Sequence, residues 1–161
     1  DSSWIYGESM ISDLGVSDVQ LSADLFNYGC LIVGVLLFVF GVGKAACEFG
    51  CNRASGCMLA IAAIFLILIG YIDSDFGNGN THEAIAILLF LFLFVASVLS
   101  AIGDWKDGAR LNGALTSILI LTVIACAVGM NIEKVEVIAA ACSVIWIMGI
   151  SVKMIFESRK A

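Results

Sequence analysis

Residues 25–46 read LFNYGCLIVGVLLFVFGVGKAA, an apolar run whose one charged side chain, Lys44, lies two positions before its end. A helix that crosses the hydrocarbon core of a bilayer needs roughly 20 apolar residues. The run has that length, and it contains no proline, which would interrupt a continuous helix. Residues 25–46 therefore predict a transmembrane helix.

Four further apolar stretches follow this one, with short segments between them. They cover residues 55–72, 83–103, 111–130 and 135–156. Short connections are typical of neighbouring helices that pack antiparallel. The predicted fold class is all-α: a polytopic transmembrane helix bundle over residues 25–161, with five spans in this chain.

The composition of the whole chain agrees with a lipid environment. Of its 161 residues, 61% are hydrophobic and 14% are charged, and the mean hydropathy is +1.04. A soluble domain usually carries about a quarter charged residues, and a chain this short has too small a core to bury so many apolar side chains. These values exclude an ordinary soluble globular protein.

The basic residues predict the orientation of the bundle. Seven of the eight Lys and Arg side chains fall in alternate connections or at the end of the chain, and these are Lys44, Arg53, Lys106, Arg110, Lys153, Arg159 and Lys160. In the opposite segments Lys134 is the one basic residue, and most of the acidic residues of the chain lie there. Because basic residues are enriched in cytoplasmic loops, we expect a multi-pass protein of the cell (plasma) membrane. Its N-terminus would lie outside and its C-terminus in the cytoplasm.

Residues 1–24 contain too many apolar side chains for a free polar tail. Trp4 and Tyr6 are aromatic residues of the kind that favour the membrane–water interface. We therefore predict that residues 1–24 form an ordered extracellular segment, an outer cap over the bundle. Upstream of Asp1 we expect a further transmembrane helix in preference to a cleaved signal peptide.

His82, the one histidine of the chain, precedes the third predicted span and has carboxylates near it on the same side of the membrane. The candidate catalytic residues are His82, Asp73, Asp75 and Asp13, and the candidate binding residues are Ser12, Asn27 and His82. A histidine beside carboxylates can act as a general base, but one histidine is a poor basis for a metal site. We predict no metal and no cofactor. A structural hydrogen bond of His82 ranks first, before binding of a lipid or sugar, and catalysis ranks last.

No Asp, Glu, Lys, Arg or His side chain lies in the middle of any predicted span. Ion-coupled transporters and proton relays usually mark their pathways with such groups, so the pattern argues against these classes and leaves a neutral pathway open. The chain also lacks a basic patch of the size that nucleic acid requires. Nucleic acid is therefore not an expected partner.

Two short motifs resemble the signature of the domain of unknown function 998 family. Ser12-Asp13-Leu14-Gly15 precedes Phe26-Asn27-x-Gly29 at a helix start, and Gly70 through Asp73 followed by His82 matches a later outer loop. The resemblance covers about residues 11–130. It implies a six-helix bundle of bacterial or archaeal origin, with the first helix missing here, and it implies no established activity.

Two other groups of membrane proteins are more distant. Residues 11–15 are similar to an I-S-D-x-G stretch of the Frag1/DRAM/Sfk1 membrane proteins. Alkaline ceramidases hold zinc with three histidines, which this chain with its single histidine does not supply.

Three functions are consistent with these observations, in the following order. The first is a non-catalytic integral membrane protein, either a lipid-interacting bundle or a subunit of a larger membrane complex. Its partners would be membrane lipids, and other membrane subunits or further copies of itself. The alternative is a membrane enzyme that acts on a lipid or lipid-linked substrate at the outer interface through His82 with Asp13, Asp73 or Asp75. The weaker alternative is a facilitator for a neutral small molecule.

Overall fold

The computed structural model describes residues 4–72 and 80–158, and five long helices account for most of them. The helices are α1 Gln20–Cys47, α2 Gly50–Tyr71, α3 Asn80–Lys106, α4 Arg110–Gly129 and α5 Ile132–Ser158. Each is long and apolar enough to cross a membrane. This confirms the predicted all-α bundle with five spans.

The helices extend beyond most of the predicted ends. α1 begins at Gln20 instead of residue 25, α2 at Gly50 instead of residue 55, and α3 continues to Lys106 instead of residue 103. The prediction counted uninterrupted apolar residues, whereas a helix continues into the interface because its backbone N–H and C=O groups need partners there. Polar residues that the prediction placed in connections, among them Asn52 and Asp104, therefore lie on helices.

We name the two ends of the bundle by what they carry. The cap end carries residues 4–19, the end of α2, the start of α3 and the α4–α5 connection. The tail end carries the last residues of α5 together with the α1–α2 and α3–α4 connections. Because α1 begins at Gln20, the last five residues of the predicted segment 1–24 lie on this helix.

Small residues bring α1 and α2 close together. A Cβ atom on Gly41 would lie 2.7 Å from the backbone nitrogen of Ala60, and one on Gly56 would lie 2.5 Å from that of Ala45. In a membrane, small residues at a helix interface let the two backbones approach each other. α1 and α2 therefore form a tightly packed antiparallel pair, joined only by Glu48 and Phe49.

The apolar core lies where α2 and α3 meet, and α5 adds to it. Its most buried members are Leu37 of α1, Leu59, Ala62, Ala63 and Ile69 of α2, Ile85, Leu89, Leu93 and Ala96 of α3, and Trp146 and Ile150 of α5. The rings of Phe65 and Phe92 stack beside it with centroids 5.5 Å apart, a favourable arrangement for aromatic pairs. α4 lies at the periphery, since Gly113 and Thr116 are its two buried residues and both are in its tail-end half.

Candidate functional site

An apolar cleft of about 340 Å³ lies between α3, α4 and α5. Its walls include Ala86, Phe90 and Phe94 of α3, Leu119, Ile120 and Val123 of α4, and Val135, Ala139 and Trp146 of α5. Ligand pockets in proteins usually measure about 300–1,000 Å³. The cleft therefore has the volume of a small ligand site.

The packing of α4 explains why a cleft is present. At the tail end, a Cβ on Gly113 would lie 3.2 Å from the ring of Trp105, and Asn112 Nδ2 donates a 3.4 Å hydrogen bond to Gly149 O. From residue 117 to the end of the helix, α4 has no buried residue. Because α4 packs closely only at the tail end, space remains between it and its neighbours towards the cap end.

The cleft runs along the helices for a considerable part of the bilayer. Its lining residues extend from Glu83 to Ser97 on α3 and from Ile132 to Trp146 on α5, fourteen positions in each case. At the rise of an α-helix, fourteen positions correspond to a cleft length of about 21 Å. Half of the hydrocarbon core of a bilayer measures about 15 Å. The cleft thus reaches from the cap end to beyond the middle of the bundle, where Thr116 of α4 lines it.

The charged groups of the cleft lie at its cap-end rim. Glu83 and Glu136 line this rim together with Met10 of the cap. Deeper in the cleft, the hydroxyls of Ser97 and Ser143 donate to carbonyl oxygens of their own helices at 2.7 and 2.8 Å. The described lining contains no Lys, Arg or His. The cleft is therefore acidic at its rim and apolar in its depth.

The cap is a folded segment that is fastened to the start of α5. Residues Ile11–Val16 form a 3-10 helix. Ile11 N donates to Glu136 Oε2 at 2.7 Å, and Asn131 Nδ2 donates to Gly7 O at 2.7 Å. The stem of Lys134 packs directly against Gly7, whose φ of +82° favours glycine. Glu136 therefore belongs both to the cap contact and to the rim of the cleft.

Three of the predicted site residues hold the cap together. Ser12 is buried within the 3-10 helix. Asp13 Oδ2 accepts a 2.8 Å hydrogen bond from Met10 N, and Asn27 Nδ2 donates a 3.0 Å hydrogen bond to Gly15 O. Asn27 thereby ties α1 to the cap. These contacts are structural, and a role of Ser12, Asp13 or Asn27 in binding or catalysis stays a prediction.

His82 lies on the core-facing side of α3 and is only 5% exposed. Its Nδ1 is 2.8 Å from Ile72 O, and since a carbonyl oxygen only accepts, Nδ1 is the protonated nitrogen. Its Nε2 is buried and has no partner within residues 4–72 and 80–158. Asp13 of the cap and His82 of α3 are both within electrostatic range of Glu136. Their own hydrogen bonds, however, are to Met10 N and Ile72 O respectively.

Two other predicted residues, Asp73 and Asp75, lie outside the described residues. Across the two described ranges, no three His, Cys, Asp or Glu side chains are placed where they could hold a metal ion.

A second polar cluster is buried at the tail end, where it joins four helices. We call it the tail-end ion network, and it consists of Lys44, Glu48, Asn52, Asp104 and Lys153. Lys153 Nζ lies 2.8 Å from Asp104 Oδ1 and 3.4 Å from Glu48 Oε1. Lys44 Nζ lies 3.6 Å from the same Glu48 oxygen and 3.3 Å from Asn52 Oδ1. The network therefore ties α1, α2, α3 and α5 together.

The burial of this network is close to complete. Lys44 and Asn52 are fully buried, and Asp104 is 1% exposed. Asn52 Nδ2 also donates to Asp104 Oδ1 at 3.4 Å and to Asp107 Oδ2 at 3.0 Å. Gly103 makes room for this amide, because a Cβ there would lie 2.6 Å from Asn52 Cγ. Two ammonium groups and two carboxylates thus neutralise each other in a low-dielectric environment.

Sequence reasoning missed the network and the role of Glu136. It counted Lys44 and Lys153 as markers of orientation and Glu136 as one of many outer acids. One signal was present, since Lys44 and Glu48 are four residues apart and therefore adjacent on a helix surface. The other members come from distant parts of the chain, which only the fold brings together.

Comparison with known proteins agrees with the motif-based resemblance. The model of the family described as "Protein of unknown function (DUF998)" matches residues 2–153. The match thus extends well beyond the 11–130 covered by the short motifs. No curated protein and no solved structure matches the chain.

Proposed function

This chain belongs to the DUF998 family, whose description names no activity. We therefore propose a function from the geometry of the chain itself. It is a non-catalytic integral membrane protein that binds a lipid in the α3–α4–α5 cleft. The observation that carries the proposal is the cleft itself, about 340 Å³ in volume, with apolar walls and a polar rim at the cap end. Such a division into apolar and polar parts matches an amphiphile that lies parallel to the helices.

Physical chemistry favours an occupied cleft. In a bilayer, lipid tails surround the bundle, and a void along its side would deprive the lining atoms of contacts. An apolar chain restores those contacts, while the rim carboxylates and the cap provide polar contacts that select a head group. Polar groups placed at one end of an apolar site are what usually give such sites their specificity.

We place the cap end outside the cell (plasma) membrane and the tail end in the cytoplasm. Arg53, Lys106 and Arg110 are exposed at the tail end, whereas Lys134 is the described basic side chain of the cap end and packs on Gly7. The enrichment of basic residues on the cytoplasmic side supports this orientation. In this orientation the cleft opens in the outer half of the bilayer.

An enzyme acting on a lipid or lipid-linked substrate at the outer interface is the second candidate. It is supported by His82, whose Nδ1 is oriented by Ile72 O while Nε2 is without a partner among the described residues, near Glu136. A base that is oriented in this way is a common element of catalytic sites. The burial of His82 keeps this candidate second, because a substrate would have to displace part of the cap to reach it.

Two substitutions on α4 test the proposed binding. Val123 lines the cleft, whereas its neighbour Ile124 is exposed and does not line it. We expect Val123→Trp to fill the cleft and to reduce the lipid that copurifies with the protein in mild detergent, as counted by mass spectrometry. Ile124→Trp is the matched control and should retain it. Equal amounts of lipid in the two variants would contradict the proposal.

The same preparations test the second candidate. Incubation of the wild-type protein with extracted membrane lipids should leave their composition unchanged if the protein is non-catalytic. A new lipid product that disappears in the variant His82→Ala would instead identify an enzyme.

A further inference from the structure

The rim of the cleft has a net negative charge. Two carboxylates belong to this rim: Glu83, which is exposed at the start of α3, and Glu136, which lies at the junction of α5 and the cap. Glu136 accepts hydrogen bonds from the backbone N–H groups of Ile11 and Ser12. A carboxylate offers about four acceptor positions, so Glu136 retains capacity for a further donor.

The neighbouring basic groups do not balance this charge within the cleft. Lys134 is two residues from Glu136, a spacing at which helical side chains face different directions, and its stem packs on Gly7 of the cap. His82 interacts with Glu136 from the core side of α3 and is not part of the described cleft wall. A head group in the cleft therefore meets two carboxylates and no cation from the described lining.

The charge of the rim discriminates among head groups. A phosphate at this position would lie against two carboxylates, and like charges in a partly desolvated site repel. A hydroxyl can donate one neutral hydrogen bond to either carboxylate. A protonated amine can donate up to three, and each is charge-assisted, which makes it about twice as strong as a neutral bond.

From this complementarity we propose that the occupant of the cleft is a membrane amphiphile with a protonated amine in its head group. The ammonium binds Glu136 and Glu83 at the rim, and the apolar tail extends along α3 and α5 towards Trp146. This inference rests on the proposed lipid-binding function and specifies the class of its ligand.

Trp146 provides a way to observe the occupant. It lines the cleft fourteen positions from the rim residue Ile132, and it is 2% exposed. Trp105, at the tail end and outside the cleft, is half exposed. Bromine atoms on a lipid tail quench tryptophan emission by contact, so a tail that occupies the cleft quenches Trp146 more strongly than Trp105.

The experiment uses the full chain in vesicles of phosphatidylcholine. Three single-chain probes share one brominated tail and differ in the head group, which is a primary amine, a hydroxyl or a phosphate. The Trp146 signal is the emission that Trp146→Phe removes, and the Trp105 signal is the emission that Trp105→Phe removes. We expect the amine probe to quench the Trp146 signal at a concentration about tenfold lower than the phosphate probe, as a charge-assisted contact predicts.

Two variants test whether the rim carboxylates cause this preference. Glu136→Gln removes the charge and keeps an oxygen that accepts from Ile11 N, while Glu83→Gln alters an exposed side chain that the fold does not need. Each should lose most of the tenfold difference between the amine and phosphate probes. Glu8→Gln, which alters an exposed carboxylate of the cap outside the cleft wall, is the matched control and should retain it.

The outcomes separate the two proposals. Equal quenching of Trp146 by the three probes, or stronger quenching by the phosphate probe, would overturn the amine class and leave lipid binding standing. A preference for the amine that persists in both Gln variants would also overturn it. Quenching of Trp146 no stronger than that of Trp105 by every probe would overturn lipid binding in the cleft itself.

Discussion

The ion pair between Asp104 and Lys153 leads to a quantitative expectation about stability. Asp104 is 1% exposed, and its closest cation is the Lys153 ammonium at 2.8 Å. We expect Lys153→Met to lower the free energy of unfolding by about 3–5 kcal/mol, because the substitution leaves a buried carboxylate without its counter-ion. Methionine keeps an unbranched apolar stem, so the loss reports on charge more than on packing.

The magnitude follows from the distance and the burial of the pair. Two unit charges 2.8 Å apart attract by about 6 kcal/mol at an effective dielectric constant of about 20. The cost of removing both ions from water offsets most of this attraction in the intact pair. Removing both charges together should therefore cost little, and the double variant Lys153→Met/Asp104→Asn should lie within about 1 kcal/mol of the wild type.

Titration with sodium dodecyl sulfate in mixed micelles, followed by far-ultraviolet circular dichroism, measures these free energies. Lys106→Met is the matched control, since Lys106 is exposed at the end of α3, and it should change the stability by no more than about 0.5 kcal/mol. The reasoning is refuted if Lys153→Met is as stable as this control. It is refuted equally if the double variant is as unstable as the single one.

Two further expectations concern helix packing and orientation. Gly56→Ala should lower the free energy of unfolding by about 1–3 kcal/mol, because its Cβ would lie 2.5 Å from Ala45 N. Gly43→Ala, where a Cβ would meet nothing within 4 Å, should be neutral or stabilising by up to about 1 kcal/mol. The same titration measures both, and equal losses would contradict the close approach of α1 and α2. Cys47 is exposed at the tail end, so a membrane-impermeant maleimide should label a variant with Cys47 as its one cysteine only after the cells are permeabilised. Labelling in intact cells would reverse the proposed orientation.

The number and kind of helices could be predicted from the sequence because bilayer thickness imposes a length on each apolar run. A run such as residues 25–46 carries this information locally, without reference to any other part of the chain. The ends of the helices could not be predicted as well. Asn52 and Asp104 are polar, so a prediction from composition ends the apolar spans before it reaches them, whereas both lie on helices. In the fold these two side chains are hydrogen-bonded to each other, so both can be buried on helices although they are polar.

The candidate site could be predicted only in part, because its main features depend on contacts between distant residues. The hydrogen bond from Ile11 to Glu136 spans 125 positions of the chain, and no local pattern indicates it. The cleft results from where α4 packs and where it does not, which depends on Gly113 meeting Trp105. His82 could be selected because it is the one histidine, but its burial and its bond to Ile72 O required the fold.

The two-residue connection between α1 and α2 has a consequence for biosynthesis. A chain is made from its N-terminus, so this closely packed pair of helices enters the bilayer before α3 and α5 exist. At that stage Asn52 lacks its partner Asp104, and Glu48 lacks its partner Lys153. The insertion of α5 therefore completes the charge balance of the tail-end ion network, because Lys153 is the counter-ion of Asp104. A nascent protein that lacks α5 retains Asp104 as a buried charge without its counter-ion, and we expect the resulting instability to favour its degradation.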